Sequence, residues 1–466
     1  MSIILRNGRV VTADRDYMAD IYIEKEVISA IGANLRVQAD RVIDATGKYL
    51  IPGGVDVHTH LDMPIGGTVS SDDFETGTRA AAFGGTTCLI DFAIQSRGMR
   101  MRTALDMWLR KGEKATVDYG LHMIVTDLPE AHLGDLDQMV RAGVTSFKLF
   151  MAYPDLLMVD DGTIFRAMRQ TIKNGGLVCI HAENGDVIEL LVREAIVAGR
   201  TAPRHHALTR PAGAEAEAVN RAIALAEMAG ARVYIVHLSS APALESIVAA
   251  RARAHPVFAE TCPQYLLLSI EDLDRPGFEG AKYVFSPPPR EKWHQDKLWE
   301  GLRQNTLQTV ATDHCPVFFR EKVAGARASF AKIPNGGPGI EHRLQLLHHY
   351  CVNQGRITLN RWVEITSTAP AKIFGLYPRK GAIAVGSDAD IVIWDPRQAY
   401  TISARTHHMR VDYSMFEGFE VRGNAETVLS RGEVVVHKQE WFGTTGRGRF
   451  IERSESKPDL DVDDEV

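Results

Sequence analysis

A chain of 466 residues is too long for one small domain and fits either one large domain or two to three ordinary ones. Apolar residues make up 45% of the chain and charged residues 24%, which is typical of globular proteins and excludes collagen-like, disordered and disulfide-rich classes. The net charge of −6 argues against a nucleic-acid-binding surface.

The cysteines and the first residues indicate the compartment. The five cysteines are widely spaced and form no Cys-x-x-Cys pair, so neither a disulfide framework nor a thiolate metal site is expected. We therefore expect reduced thiols and a cytoplasmic location. The opening segment MSIILRNGRVV lacks the order and length of a signal peptide, and no apolar run approaches the roughly 18 residues of a membrane span. We expect neither nucleic acid nor a membrane as a partner.

The elements predicted along the chain fall into three parts. Residues 1–51 show short alternating apolar and polar runs between turns, which predict β-strands, and a similar texture returns at residues 381–396 and 427–437. Between these segments, apolar runs of five to eight residues alternate with helical stretches. This alternation is typical of βα units with a buried parallel sheet.

Eight such units can be counted. The predicted strands are Gly54–His58, Cys88–Ile94, Tyr119–Thr126, Ser146–Ala152, Leu177–Ala182, Val233–Leu238, Val257–Thr261 and Thr309–Thr312, and the predicted helices are 73–83, 103–114, 130–142, 162–173, 214–229, 243–254, 293–303 and 339–352. They predict an α/β fold in which residues 52–376 form a (β/α)8 barrel of the TIM type. Residues 1–51 and 377–442 would together form a second small β-sandwich domain, because neither segment can bury a sheet alone.

Residues 443–466 form the third part, an acidic C-terminal tail. From Ile451 to Val466 the sequence carries seven acidic and two basic side chains, a net charge of −5 that leaves −1 for the rest of the chain. Such a segment is expected to be disordered or to lie at the surface. A nearly neutral body suits an uncharged substrate better than an anion.

Histidine and acidic side chains fall at the carboxyl ends of the predicted barrel strands, where barrel enzymes assemble their active sites. The first strand ends in His58 and His60, which point to the same face because they are two residues apart. His181, His237 and Asp313 end the fifth, sixth and eighth strands. Five such placements predict a metal site. The pairs His205/His206, His348/His349 and His407/His408 are expected at the surface or in loops.

Lys148 lies in the middle of the apolar fourth strand, where an unpaired ammonium group is costly. Either its head reaches a carboxylate, or the neutral amine takes up carbon dioxide and becomes a carbamate that bridges two metal ions. Four histidines, one aspartate and a carbamate would hold two divalent ions. These ligands favour zinc, and manganese, cobalt or nickel could occupy the same site.

Ten segments resemble the amidohydrolase superfamily, and within it the dihydropyrimidinase and D-hydantoinase family, over nearly the whole chain. They are GGVDVHTHLDMP, AAFGGTTCLIDF, TSFKLFMAY, VCIHAENGD, YIVHLSS, ETCPQYL, GAKYVFSPPPREK, TVATDHCP, IPNGGPGIEHR and KGAIAVGSDADIVIWDP. The resemblance implies one metal on His58, His60 and Asp313, and a second on His181 and His237. It also implies that carboxylated Lys148, an N6-carboxylysine, bridges the two, and that the chain forms a homotetramer, with a homodimer as the alternative.

The resemblance further implies roles at the substrate. Asp313 would transfer the proton and Tyr153 would stabilise the oxyanion, while Ser286 and Asn335 would hold a small cyclic diamide. Residues 61–71 and 153–161 form apolar loops that we expect to cover the exocyclic substituent. The candidates for its apolar pocket are Met63, Ile65, Phe150 and Leu157.

The implied reaction is hydrolysis of 5,6-dihydropyrimidines and 5-substituted hydantoins to N-carbamoyl amino acids. Allantoinase activity stays open, although the apolar loops count against its polar ureido group. Dihydroorotase activity is disfavoured, because Asp62 stands where the sequence of that enzyme has an arginine. A scaffold like the collapsin response mediator proteins, which lack the full metal set, is disfavoured because all six ligand positions are present.

Overall fold

The barrel predicted from the sequence is confirmed in a computed structural model that describes residues 2–455. Within them, an eight-stranded sheet consists of parallel strands that pair in chain order: Gly54–Thr59, Thr86–Ile94, Asp118–Ile124, Ser146–Phe150, Leu177–His181, Val233–Ile235, Val257–Thr261 and Thr309–Val310. An isolated parallel bridge between Thr59 and His314 connects the last strand to the first. This bridge closes the barrel.

Helices follow the strands. The α-helices are Phe74–Phe83, Met101–Gly112, Gly134–Arg141, Asp161–Asn174, Gly185–Val197, Arg204–Leu208, Ala212–Ala229, Ala241–Ala252, Pro263–Leu267, Trp293–Arg303, Phe319–Ala328, Arg343–Leu347, Leu359–Val363 and Ala369–Ile373. Short 3-10 helices cover Glu130–His132, Ile270–Asp274, Glu279–Tyr283 and Phe330–Lys332, and π-helices cover His348–Asn353 and Glu364–Thr368. In the described part of the chain, no helix combines the length and apolarity that crossing a membrane requires.

Two helices near the site were not predicted. Gly185–Val197 begins at Asn184, whose side chain accepts the N–H of Val187, and Phe319–Ala328 follows the eighth strand. The alternation of one strand with one helix had already assigned Ala212–Ala229 and 339–352 to these units, so the extra helices gave no separate signal. The predicted helix 339–352 is divided into Arg343–Leu347 and a π-helix.

The second sheet joins both ends of the chain, as expected. Its nine strands are Ser2–Val11, Asp16–Glu24, Val27–Gly32, Arg41–Asp44, Tyr49–Pro52, Ile391–Thr401, Glu420–Ser430, Glu433–His437 and Glu440–Trp441. Tyr49–Pro52 is the link, because it pairs with Ser2–Val11 on one side and with Ile391–Thr401 on the other. Leu5, Ile21 and Ile391 belong to its separate apolar core. The boundaries 1–51, 377–442, 52–376 and 443–466 stay a prediction.

Residues 443–455 cross the amino-terminal end of the barrel. The N–H of Ile451 donates to the carbonyl of Tyr119 at 2.7 Å, and the Ile451 side chain belongs to the apolar cluster inside the barrel. The Arg453 guanidinium donates to the Leu121 carbonyl at 2.5 Å and to Ser146 Oγ at 2.9 Å. The expected surface position is therefore wrong for Ile451 and Arg453, because acidic neighbours masked the buried contacts. Residues 456–466 lie outside the described residues.

Replacing Arg453 tests whether this segment holds the barrel. Arg453→Met should lower the free energy of unfolding by about 2–3 kcal/mol, because it leaves buried acceptors without a donor, and urea denaturation measures the change. Arg449→Met is the control. It removes an exposed ion pair with Glu26 of 2.7 Å, which contributes at most about 1 kcal/mol. Equal losses in the two variants would contradict the anchoring role.

Candidate active site

The carboxyl ends of the barrel strands surround a cavity of about 950 Å³. Every residue predicted for the site lines it: His58, His60, Met63, Ile65, Lys148, Phe150, Tyr153, Leu157, His181, His237, Ser286, Asp313 and Asn335. The structure therefore brings together side chains that are up to 277 positions apart, from His58 to Asn335. Their individual roles stay predictions.

His58, His60 and Asp313 form the first group of potential metal ligands, with one ligand atom from each lying within 4.8 Å of the others. The Oδ1 atom of Asp313 is 3.3 Å from His58 Nε2 and 3.2 Å from His60 Nε2. Ligand atoms around a tetrahedral zinc ion, with bonds of about 2.0–2.1 Å, have separations of this size. The group thus has the spacing of a metal site.

His181 and His237 form a second group beside the first. The Nδ1 atom of His181 lies 2.9 Å from Nε2 of His237, and the ring of His237 is 5.3 Å from that of His58. The Nζ atom of Lys148 lies 4.9 Å from the centre of the Phe92 ring, which itself contacts His58. The two histidine groups and the lysine therefore share one end of the barrel.

An unpaired ring nitrogen supports a bound cation at this position. The Nε2 atom of His58 faces Asp313 but is buried and has no hydrogen-bond partner among residues 2–455. A buried polar atom without a partner is costly and requires an explanation. A metal ion provides one, because it accepts the lone pair that no protein donor reaches.

The charge states of the groups agree with metal binding. Burial lowers the pKa of His58, His181 and His237, so these imidazoles are neutral, which is the form that binds metal. Burial raises the pKa of Asp313, but the nearby His58 and His60 outweigh it and hold that pKa below its usual value. Asp313 is therefore an ionised ligand near neutral pH.

Lys148 is 1% exposed, and burial lowers its pKa to about 8. The carboxylates of Asp313 and Glu260 act against this shift, but neither forms an ion pair with Lys148 within residues 2–455, which weakens the interpretation as a lysine held by a carboxylate. The lowered pKa makes the neutral amine more accessible near neutral pH. The neutral amine is the form that reacts with carbon dioxide.

Three residues of the cavity have unusual backbone conformations. The φ angles of His237, Asp313 and Tyr153 are 38°, 52° and 65°, in the left-handed region that residues other than glycine rarely adopt. Such strain persists only where the surroundings enforce it, and it concentrates at functional sites. One enforcing contact is visible, since the N–H of His237 donates to Glu260 Oε1 at 3.1 Å.

Glu260 is a site residue that was not predicted. Its carboxylate contacts His58 Nδ1 and accepts the Tyr234 hydroxyl at 2.9 Å, in addition to the N–H of His237. A carboxylate on the far nitrogen of a metal-binding histidine fixes the ring and its tautomer. Burial raises the pKa of Glu260 to about 8. The sequence does carry a signal for Glu260, because an acidic residue inside the buried strand VFAET is as unexpected as the lysine inside the apolar fourth strand.

Tyr153, Ser286 and Asn335 form a polar group on the cavity wall. Tyr153, Ser286 and Asn335 all line the cavity, and Asn335 Nδ2 donates to Ser286 Oγ at 3.2 Å. Burial raises the pKa of Tyr153 despite the guanidinium of Arg210, 5.8 Å from its ring centre. The hydroxyl therefore stays protonated and can donate a hydrogen bond to a substrate.

The rest of the wall is apolar. Met63 and Ile65 lie at the hairpin formed by Pro64–Ile65 and Thr68–Val69, while Phe150 packs with Leu157. Further apolar wall residues that were not predicted are Met107, Trp108, Ile333 and Pro334. Met107 and Trp108 come from a barrel helix that carries no recognisable motif. Ile333 and Pro334 begin the segment IPNGGPGIEHR, which indicated Asn335 but not these two residues.

The expectation for the histidine pairs is wrong at His206 and His348, which are buried. The Nε2 atom of His206 lies 2.9 Å from the carbonyl oxygen of Phe285, beside the polar group. His348 Nδ1 lies 2.8 Å from the carbonyl oxygen of Arg422. In each case the partner is a distant backbone carbonyl, which no local sequence pattern reveals.

A barrel with histidines and an aspartate gathered at the carboxyl ends of its strands has the arrangement on which (β/α)8 enzymes build their active sites. Residues 49–435 match the model of the amidohydrolase family, and the chain belongs to this family. Members of the family use divalent metal ions.

Relatives that match over nearly the whole chain are hydantoinases and a dihydropyrimidinase. The chain is 52% identical over 457 residues to a D-hydantoinase of Streptomyces coelicolor, covering 97% of this chain and 98% of the relative. It is 44% identical over 462 residues to a D-phenylhydantoinase of Escherichia coli, covering 98% and 99%. Among solved structures, dihydropyrimidinase from Brevibacillus agri has a TM-score of 0.97 at 51% identity, covering 98% of this chain and 100% of that one. The L-hydantoinase from Arthrobacter aurescens has a TM-score of 0.88 at 32% identity, covering 96% and 99%.

Proposed function

We propose that this protein hydrolyses a ring amide of 5-substituted D-hydantoins and of 5,6-dihydropyrimidines and releases N-carbamoyl amino acids. The observation that carries the proposal is a single cavity in which the potential metal ligands adjoin a polar group and an apolar wall. Relatives named D-hydantoinase or D-phenylhydantoinase match at 41–52% identity, whereas the L-hydantoinase matches at 32%. This difference supports the D enantiomer.

Two divalent metal ions would be the cofactors. His58, His60 and Asp313 would hold one ion, and His181 and His237 the other. Carboxylated Lys148 would give one oxygen to each. When bound, such ions lower the pKa of a water molecule and polarise the amide carbonyl. Imidazole and carboxylate ligands favour zinc, with manganese, cobalt or nickel as alternatives.

The side chains of the cavity would perform the proton transfers. Asp313 accepts a proton from the attacking water as the new C–O bond forms. The Tyr153 hydroxyl donates to the oxyanion that develops on the amide oxygen. Asp313 then delivers the proton to the ring nitrogen as the C–N bond breaks, so the nitrogen leaves as a neutral amide group of the carbamoyl product.

Substrate selection would follow from polarity. Ser286 and Asn335 hold the polar ring, while Met63, Ile65, Phe150 and Leu157 contact the exocyclic substituent. The apolar wall favours alkyl and aryl groups, because burying a polar substituent there leaves its hydrogen bonds unmade. Asp62, which stands where the dihydroorotase sequence has an arginine, is not among the residues that line the cavity, so this position supplies no cation for a substrate carboxylate.

Assembly and location complete the proposal. We expect a cytoplasmic homotetramer, with a homodimer as the alternative. All five cysteines are free and buried, as in proteins of a reducing compartment. Helix Gly185–Val197 exposes Val187, Leu190 and Val197, an apolar surface that a subunit contact would cover.

A substrate panel on metal-loaded protein tests the proposed activity. We expect kcat/KM to be highest for D-5-phenylhydantoin, lower for dihydrouracil and the L enantiomer, and not measurable for dihydroorotate, because the arginine that would bind its carboxylate is replaced by Asp62. Metal content is measured on the same sample. Faster turnover of allantoin than of any hydantoin would replace the proposed substrate, and no turnover at full metal content would favour a non-catalytic role.

Tyr153→Phe removes only the hydroxyl that is proposed to stabilise the oxyanion. We expect kcat for D-5-phenylhydantoin to fall roughly 10- to 1,000-fold, the range found when an oxyanion donor is lost. Metal content should not change, because the hydroxyl is not a ligand. Tyr377→Phe removes a hydroxyl from a side chain that is 42% exposed and serves as the control. An unchanged kcat in Tyr153→Phe would refute the assignment.

Lys148→Ala removes the proposed bridging carbamate. The variant should lose most of its metal and activity, because one anionic ligand of both ions disappears, and elemental analysis measures the metal. Propionate should restore part of both, since its carboxylate can occupy the vacated space. Lys173→Ala, at an exposed lysine, is the control. Full metal content in Lys148→Ala would rule out the bridging role.

A further inference from the structure

Lys322 is a second fully buried lysine, outside the proposed metal centre. It lies in helix Phe319–Ala328 and is 0% exposed. Its Nζ atom donates to the carbonyl oxygen of Val284 at 2.9 Å and to that of Pro334 at 2.9 Å. One side chain thus joins two backbone segments that lie 50 residues apart.

Both segments carry proposed substrate-binding residues. Val284 precedes Ser286 by two positions, and Pro334 directly precedes Asn335. The same two segments touch at two further points, because the N–H of Gly336 donates to the Val284 carbonyl at 3.0 Å and Asn335 donates to Ser286 at 3.2 Å. Lys322 itself is not among the residues that line the cavity.

The segment before Ser286 is fixed at successive residues. Lys322 holds the carbonyl of Val284, and His206 Nε2 lies 2.9 Å from the carbonyl of Phe285. The Ser286 hydroxyl is in turn 3.3 Å from His206 and accepts a hydrogen bond from Asn335. Three consecutive residues therefore each contact a side chain that comes from a different part of the chain.

The amine of Lys322 can donate to both backbone carbonyls in either charge state. Burial lowers the pKa of Lys322 to about 7. Both the ammonium and the neutral amine offer at least two N–H bonds, which match the two carbonyls. The ion pairs of residues 2–455 include no acidic partner for Lys322, so burial of this amine is costly. An apolar side chain would avoid that cost but could not join the segments.

We propose that Lys322 is a positioning residue that sets the distance between the segments of Ser286 and Asn335 and thereby shapes the ring-binding part of the cavity. It acts through these two residues and does not contact the substrate. The consequence for catalysis rests on the proposed function, whereas the ordering of the two segments does not.

Lys322→Met tests the proposal, because methionine fills the space of the stem but cannot donate to the carbonyls. We expect KM for D-5-phenylhydantoin to rise roughly 10- to 100-fold with a smaller change in kcat, the pattern of lost binding shared by the ground and transition states. Metal content should stay as in the wild type. Lys322→Gln, which keeps two N–H donors, should recover part of the loss. Arg320→Met, at an exposed residue of the same helix, should behave as the wild type.

A double-mutant cycle separates positioning from general destabilisation. If Lys322 acts through Asn335, then Lys322→Met should raise KM much less in an Asn335→Ala background than in the wild type. If the two effects on KM multiply independently, the proposal is overturned.

Hydrogen exchange gives a readout that needs no activity. In Lys322→Met, amides of residues 284–286 and 335–337 should exchange at least 10-fold faster than in the wild type, with the barrel strands unchanged. Unchanged exchange in these segments would overturn the proposal. If the methionine variant does not fold, the same comparison is made with Lys322→Gln, which should show a smaller acceleration confined to the two segments. If the wild type hydrolyses none of the panel, the proposed function fails, and hydrogen exchange still decides on Lys322.

Discussion

Closure of the barrel between its first and last strands is the contact on which the site depends. Thr59 forms a bridge with His314, and the N–H of His60 donates to the His314 carbonyl at 2.9 Å. Deeper in the same seam, Asp56 accepts the hydroxyl of Thr312 at 2.6 Å. Because His60 and Asp313 are 253 positions apart, this seam alone places them 3.2 Å from each other. Without it, the first group of potential ligands would be divided between two open edges.

The seam is supported from the opposite end of the barrel. Residues 49–52 belong to the terminal sheet and lead directly into the strand that carries His58 and ends just before His60, so that sheet fixes the start of the strand. The carboxyl-terminal segment covers the same end, where Ile451 joins the interior apolar cluster. Within residues 2–455, the two terminal segments therefore line no part of the cavity, but they hold the scaffold on which it is built.

The sequence predicted those parts of the fold and the site that depend on a local pattern of apolar and polar residues. Buried parallel strands are apolar runs, so all eight could be located. Polar residues at the ends of three of these runs identified His181, His237 and Asp313. Glu260, His206 and Lys322 were not predicted. These side chains contact backbone carbonyls and imidazole rings that are distant in the chain, so no local pattern marks them. Ile451 and Arg453 were misjudged for a similar reason. Acidic residues dominate the composition of the C-terminal segment, whereas the hydrogen-bond acceptors of the buried Arg453 side chain belong to two barrel strands.

The electrostatics of the cavity would make the proposed metal ions and the proposed carbamate on Lys148 depend on each other. Burial holds His58, His181 and His237 neutral, so in the unmodified protein the ionised Asp313 is the main anionic ligand. An ammonium on Lys148 would repel two divalent ions, whereas a carbamate attracts them and changes the charge at that position by two units. Bound metal would in turn stabilise the carbamate against loss of carbon dioxide. Because burial lowers the pKa of Lys148 to about 8, the amine that starts this cycle is already available near neutral pH.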